Sequence, residues 1–261
     1  MKNAFFLLIL SFGLGWAAEP TKSPHVVFMI GEDEYKTWET LPIFAKSELE
    51  SRGVRVTVVQ ADAKDKNNFP GLVEALKDAD ALFVSVRRRT PVKAQLDAVH
   101  AHLDAGKPLV GIRTACHAFA LRPNEKLPDS RVADWAKFDP EVLGGNYVGH
   151  HGNELKSAVS LAPGAVSHPI LNGVDVRKLE GNGSLYRVSP LNESCTPLLM
   201  GTIPDKSPEP IAWTRLYGAK HSRIFYTSLG HSDDFASPEF RRLLVNGISW
   251  ALQQPLKAKS L

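Results

Sequence analysis

Side chains able to do chemistry gather at four places, and each follows an apolar run. Glu32-Asp33-Glu34 follows residues 25–31, and Arg87-Arg88-Arg89 follows 81–86. Arg113 to His117 follows 109–112, and His231-Ser232-Asp233-Asp234 follows the run near 223–229. These groups can exchange protons, hold anions or attack as nucleophiles. His231 is the first choice for proton transfer, because imidazole titrates near neutrality and Asp233 or Asp234 can orient its ring. The competing reading bonds His231 to a loop carbonyl and makes the aspartates caps of a helix near Ser237. Glu32 or Glu34 is the expected complementary acid or base. Arg87 and Arg89 share one side of an extended segment, so one of them is expected to hold substrate, together with Asp33 and Tyr35.

Residues 109–119 read as a buried strand turning sharply into a helix, the turn on which some hydrolases place their nucleophile. The position directly after Gly111-Ile112 is Arg113, and the nearby thiol, Cys116, comes three residues later. Arg113 suits a carboxylate or a developing oxyanion, or else a buried ion pair with Glu32 or Glu34. His117 either faces the pocket or packs behind it. Gly149-His150-His151-Gly152 offers imidazoles that, beside His117 or His231 and Glu32, would suit zinc or a similar ion. Adjacent histidines on a strand face opposite ways, and no HxH or HxxxH pairing supports a metal site, so a divalent metal is possible but not favoured. The other reading of this segment is a loop bordering the pocket, with His150 or His151 touching substrate. No cofactor is specified.

Alternating elements must position these groups. Apolar runs at 25–31, 54–59, 81–86 and 109–112 alternate with helical patterns at 40–52, 69–77 and 92–105, which implies a parallel sheet. Thr40 is the expected cap of the first helix and Gly53 its end. Residues 122–153 are loop-rich and read as a functional insertion or lid. Short strands at 155–161, 184–188, 198–202, 211–214 and 223–229 are expected to extend the sheet antiparallel on one side. Ser237 caps a last helix, and the 253–261 tail is expected to fray. In an open α/β sheet, ligands sit beyond the carboxyl ends of the strands, where all four polar clusters fall.

The 261 residues, 43% hydrophobic and 23% charged, suffice for one sizeable core. A net charge of +3 with scattered basic residues argues against a nucleic-acid-binding face. Lys2, an apolar run from Ala4 to Leu10 and small residues near Gly15 to Ala18 have the anatomy of a secretory signal, with cleavage after Ala17. The run is too short to span a bilayer, so no stable membrane anchor is expected and the mature protein is expected to be periplasmic or secreted. Cys116 and Cys195 then meet an oxidising compartment, and whether they pair stays open. The oligomeric state is likewise open.

Gly31-Glu32-Asp33-Glu34-Tyr35 with Glu39-Thr40-Leu41-Pro42, then Gly111-Ile112-Arg113, His168-Pro169-Ile170 with Gly173-Val174, Phe225 to His231 and Arg241-Arg242-Leu243-Leu244 are together specific. Through them, residues 25–252 resemble the ThuA-like, or trehalose-utilisation, family. That family's fold is similar to class I glutamine amidotransferases. The resemblance implies a flavodoxin-like three-layer α/β sandwich, mainly parallel with an antiparallel extension, and a carbohydrate such as trehalose or a related glycoside as substrate. Amidotransferases carry Cys where this chain has Arg113, whereas their late histidine corresponds to His231. The expected function is therefore a sugar-modifying isomerase, lyase or hydrolase without a Cys nucleophile. The alternatives are a non-catalytic sugar-binding module that stacks sugars on Tyr35, Trp38, Trp135 or Tyr147, and an amidase or protease acting through Cys116.

Overall fold

The computed structural model describes residues 22–260, so the expected signal segment 1–17 lies outside the described residues. Five strands form a parallel sheet in the order β2-β1-β3-β4-β11: β1 is His25–Gly31, β2 Arg55–Gln60, β3 Ala81–Val86, β4 Leu109–Ile112 and β11 Ser222–Thr227. Beyond β11 the sheet continues antiparallel through β10 (Glu209–Tyr217), β9 (Thr196–Thr202), β6 (Ser157–Leu161) and β7 (Glu180–Gly181). A separate two-stranded ribbon pairs β5 (Gly149–His150) with β8 (Tyr186–Arg187).

Strand alternation divides the interior into two cores. From β1, Val26, Phe28 and Ile30 pack with Leu41 and Phe44 of α1 (Thr37–Phe44) and with Leu243 and Ile248 of α4 (Pro238–Leu252). Val27 and Met29 face the other way, onto Leu72 of α2 (Leu72–Lys77) and Leu96 and Val99 of α3 (Lys93–Asp104). The result is a mixed α/β sandwich with helices on both sides of a mostly parallel sheet, layered as in flavodoxin.

Three local expectations are corrected. The first helix starts at Thr37 rather than Thr40, because the Glu32 carboxylate accepts both the Thr37 backbone N–H and its hydroxyl and so caps the helix from five residues upstream. The segment after β4 is only a short 3₁₀ turn, Arg113–His117. The carbonyls of His117 and Ala118, which would continue a helix, accept instead from the backbone N–H groups of Arg88 and Arg89. The tail is docked rather than frayed: the Ser260 N–H and hydroxyl both donate to the Ser51 carbonyl, and Lys259 reaches Glu48. Cys116 and Cys195 are both free. No helix among the described residues is long and apolar enough to cross a membrane.

Candidate functional site

Because β1, β3, β4 and β11 run parallel, the four polar clusters meet at one edge of the sheet. At its centre Arg113 follows β4 with a φ of 46°, the left-handed conformation that a sharp strand-to-turn elbow demands. The residue is 3% exposed. One terminal nitrogen donates to the carbonyls of Ser184 (2.9 Å) and Ser228 (2.8 Å), and the other to the hydroxyls of Tyr35 (3.2 Å) and Ser184 (3.0 Å). The plane lies between the rings of Tyr35 and Tyr186, 4.6 and 4.2 Å from their centroids. Gly183 makes the close approach possible, since a Cβ there would sit 2.3 Å from the guanidinium. The expected ion pair with Glu32 or Glu34 is not formed. Carbonyls, hydroxyls and aromatic faces hold the charge instead.

Both glutamates are committed elsewhere. Glu32, 2% exposed, accepts from the backbone N–H groups of Glu34 (2.7 Å), Tyr35 (2.6 Å) and Thr37 (2.7 Å) and from the Thr37 hydroxyl (2.7 Å). A carboxylate saturated by four donors shapes its own turn and has no lone pair left for substrate. Glu34 pairs with Arg87 at 2.8 Å, while Asp33 bridges Arg89 and Lys66. Arg87 and Arg89 thus reach the same loop, from the same side of their segment. Arg88 turns away to the carbonyls of Ala120 and Leu121.

His231 stands at the start of a 3₁₀ turn, Ser232–Ala236, and its Nδ1 accepts the Asp233 backbone N–H at 3.2 Å. In the neutral ring this leaves the proton on Nε2. Asp234 does not orient the ring. Its carboxylate accepts from the backbone N–H groups of Gly230 (2.7 Å), His231 (2.9 Å) and Asn182 (3.1 Å) and from the Asn182 amide (2.8 Å). Asp233 is exposed, 3.6 Å from Nδ1, beside the ring rather than locked to it. The His231 ring meets Tyr35 edge-on at 5.7 Å.

On the other flank His117 stacks on Tyr147 at 4.5 Å and lies 5.9 Å from Tyr186. Burial, reinforced by Arg88, Arg87 and Arg113, holds its imidazole well below the usual range, so it is neutral at neutral pH. Its Nδ1 is 3.2 Å from the Cys116 sulfur. Burial, and then the charge of Asp139, pushes that thiol well up, which disfavours the thiolate a nucleophile needs. His150 is exposed, 6.2 Å from Tyr186, with Nδ1 2.7 Å from the His151 carbonyl. His151 donates its backbone N–H to Leu185. Among the described residues no three His, Cys, Asp or Glu side chains form a metal-holding group. Trp135 is buried, packed on His100 and Phe138. Tyr186, Ser184 and Gly183 escaped the sequence reading. Their only signal was a short strand with glycines ahead of it.

The family model described as ThuA, trehalose utilisation, matches residues 25–251. The chain belongs to the ThuA family. A ThuA-like protein from Bacteroides uniformis superposes with a TM-score of 0.63 at 18% identity, over 91% of this chain and 95% of that one. Another from Parabacteroides merdae gives 0.61 at 16% identity, over 91% and 93%. A GH42 β-galactosidase from G. stearothermophilus, Gan42B, contains the same fold: its E323A variant gives 0.57 at 12% identity, over 92% of this ThuA chain and 31% of the galactosidase. No curated protein matches significantly in sequence.

Proposed function

We propose that this ThuA-family protein modifies a carbohydrate by acid/base proton transfer, without a protein nucleophile. The family description supplies the substrate class. One observation carries the chemistry: the Tyr35–Arg113–Tyr186 sandwich is flanked by two imidazoles, His231 against Tyr35 and His117 against Tyr186. Both terminal guanidinium nitrogens of Arg113 are committed to protein oxygens, so the charge acts on a ligand through its neighbours. Tyr35 accepts from the guanidinium and keeps its own O–H to donate to an oxygen on which negative charge develops. One neutral imidazole takes a proton from the sugar and, as the imidazolium so formed, returns it to the neighbouring atom; His231 is the ring placed for this, and His117, neutral, accepts a hydrogen bond from a sugar hydroxyl. Glu32, saturated within its own turn, does not act as the complementary acid or base, and one ring serves both proton steps. Isomerisation or elimination next to a sugar carbonyl has this proton balance. The N-terminal sequence supports export of the mature protein.

The test is NMR in D₂O with a panel of disaccharides and their keto derivatives, comparing wild type with His231→Ala. Deuterium incorporation or a new product, lost in the variant, is the expected result. Signals of one sugar that broaden equally with both proteins, without conversion, would overturn catalysis and leave a binding module.

A further inference from the structure

Of the motif Arg241-Arg242-Leu243-Leu244, the apolar half is spent on the fold, since both leucines are fully buried in the core beneath α4. The two arginines line a cavity of about 420 Å³ instead. It lies in the groove between α4 and the helical segment that continues α1 through a π turn, Ala45–Leu49, and a 3₁₀ turn, Glu50–Arg52. None of its lining residues belongs to the Arg113 site.

On this wall three guanidiniums, those of Arg52, Arg241 and Arg242, stand against one carboxylate, that of Glu48, which leaves two positive charges in excess. Glu48 is itself shared, with Arg52 at 2.8 Å, Arg241 at 3.4 Å and Lys259 of the tail at 3.3 Å. A guanidinium carries five N–H donors, and the fold uses few of these. Arg52 bonds through Nη1 alone, to the Glu48 carbonyl (2.6 Å) and carboxylate (2.8 Å). Arg241 spends Nη1 on the Phe235 and Ala236 carbonyls and turns Nε toward Glu48. Nη2 of each is left without a protein partner among the described residues. Arg242 lies against Gly173, where a Cβ would sit 2.9 Å from its Nη1, and forms no ion pair among the described residues, so its whole fork is free.

An excess of two charges carried on planar forks selects a dianion with several oxygens at one end, and a phosphoryl head offers three where a carboxylate offers two. A bare ion would leave most of a cavity this size empty. Val245 and Leu256 add apolar wall, and Asn246 gives its amide protons to the carbonyls of Ile170 and Asn172, which leaves its oxygen as an acceptor for a hydroxyl.

We propose that this groove binds a soluble phosphate monoester with a short hydroxylated body, its phosphoryl oxygens held by Arg52, Arg241 and Arg242. The test is calorimetric titration of the whole protein at low salt with glycerol phosphate, inorganic phosphate, succinate and glycerol. Wild type is compared with Arg242→Gln and with Arg131→Gln, a control on the α3 side of the sheet. Wild type is expected to bind glycerol phosphate saturably and more tightly than inorganic phosphate, and not to bind glycerol. Arg242→Gln should keep the melting temperature and weaken binding about ten-fold, the value of one hydrogen bond to a charged group. Arg131→Gln should bind as wild type does. Undiminished binding by Arg242→Gln, equal losses in both variants, or no saturable binding by wild type overturns the site. Succinate binding more tightly than glycerol phosphate overturns the phosphate assignment in favour of a dicarboxylate. Sedimentation with phosphatidylcholine vesicles that contain phosphatidic acid, without binding of glycerol phosphate, overturns the soluble ligand in favour of a lipid headgroup.

Discussion

The turn after β1 and the turn after β11 look alike in sequence, each a knot of acidic residues beside a ring, and they are built alike in space. In each, one carboxylate that is 2% exposed accepts four hydrogen bonds, Glu32 from its own turn and helix start, Asp234 from Gly230, His231 and Asn182. In each, the neighbouring acids lie at the surface, and a ring is turned toward the other turn. Those rings, Tyr35 and His231, meet at 5.7 Å. Within such a knot the buried carboxylate builds the turn, and the ring points out of it toward the other turn. Asp139 supplies a contrast. It is also buried, but its side chain accepts a close backbone hydrogen bond only from Tyr147, at 2.7 Å, and one of its oxygens has no partner.

The largest effect should come from removing either saturated carboxylate. Glu32→Ala and Asp234→Ala each strand several buried donors, and urea unfolding should find each variant about 4 kcal/mol less stable. A loss below about 1 kcal/mol at either site would break the parallel.

Asp139 should behave in the opposite way. Burial raises its carboxyl from 3.8 to about 7, so the folded state holds a proton that the unfolded chain has released. The stability this contributes is complete below about pH 4 and is lost as the pH rises through about 7, up to about 4 kcal/mol. Asp139→Asn keeps an acceptor for Tyr147 and should flatten the pH dependence of stability across that window, in urea titrations at half-unit steps. An unchanged slope would place the titration elsewhere.

His231 should separate architecture from chemistry. His231→Ala removes the acceptor for Asp233 and should cost about 1 kcal/mol, the usual size of an N-cap. His231→Asn should restore the cap and the melting temperature without restoring any proton exchange into substrate. Recovery of exchange in that variant would assign the proton to another group.

The smallest effects belong to the outer acids. Asp33 and Glu34 are 55% and 40% exposed, so their ion pairs with Arg89, Lys66 and Arg87 are well screened. Asp33→Asn and Glu34→Gln should each change stability by less than about 1 kcal/mol, and less still in high salt.

Much of the fold was legible because its signals are local. The apolar runs at Ala81–Val86 and Leu109–Ile112 match their strands, Gly53 ends the first helical segment with a φ of 78°, and Ser237 caps α4. The shared edge of the four clusters followed from strand order alone. What stayed hidden depends on distant partners or on the direction of one side chain. Arg113 meets Ser184 across 71 residues, and nothing local to Tyr186 marks it as the second wall of the sandwich. Whether Glu32 or Glu34 turns inward is decided by the backbone of the five-residue loop between β1 and α1, which residue types do not encode. The helix expected after the elbow failed because its carbonyls were claimed by the arginine segment after β3.

The manner in which Arg113 is held has a consequence for the charge inside the protein. Its partners are dipoles and aromatic faces, with no opposing carboxylate, so its charge stays uncancelled inside the protein and Arg87 and Arg88 stand nearby. A guanidinium so held stays protonated at every pH at which the fold persists. A second cation brought against the guanidinium would meet a charge that no carboxylate contacts directly. The elbow arginine is in this sense a fixed internal charge.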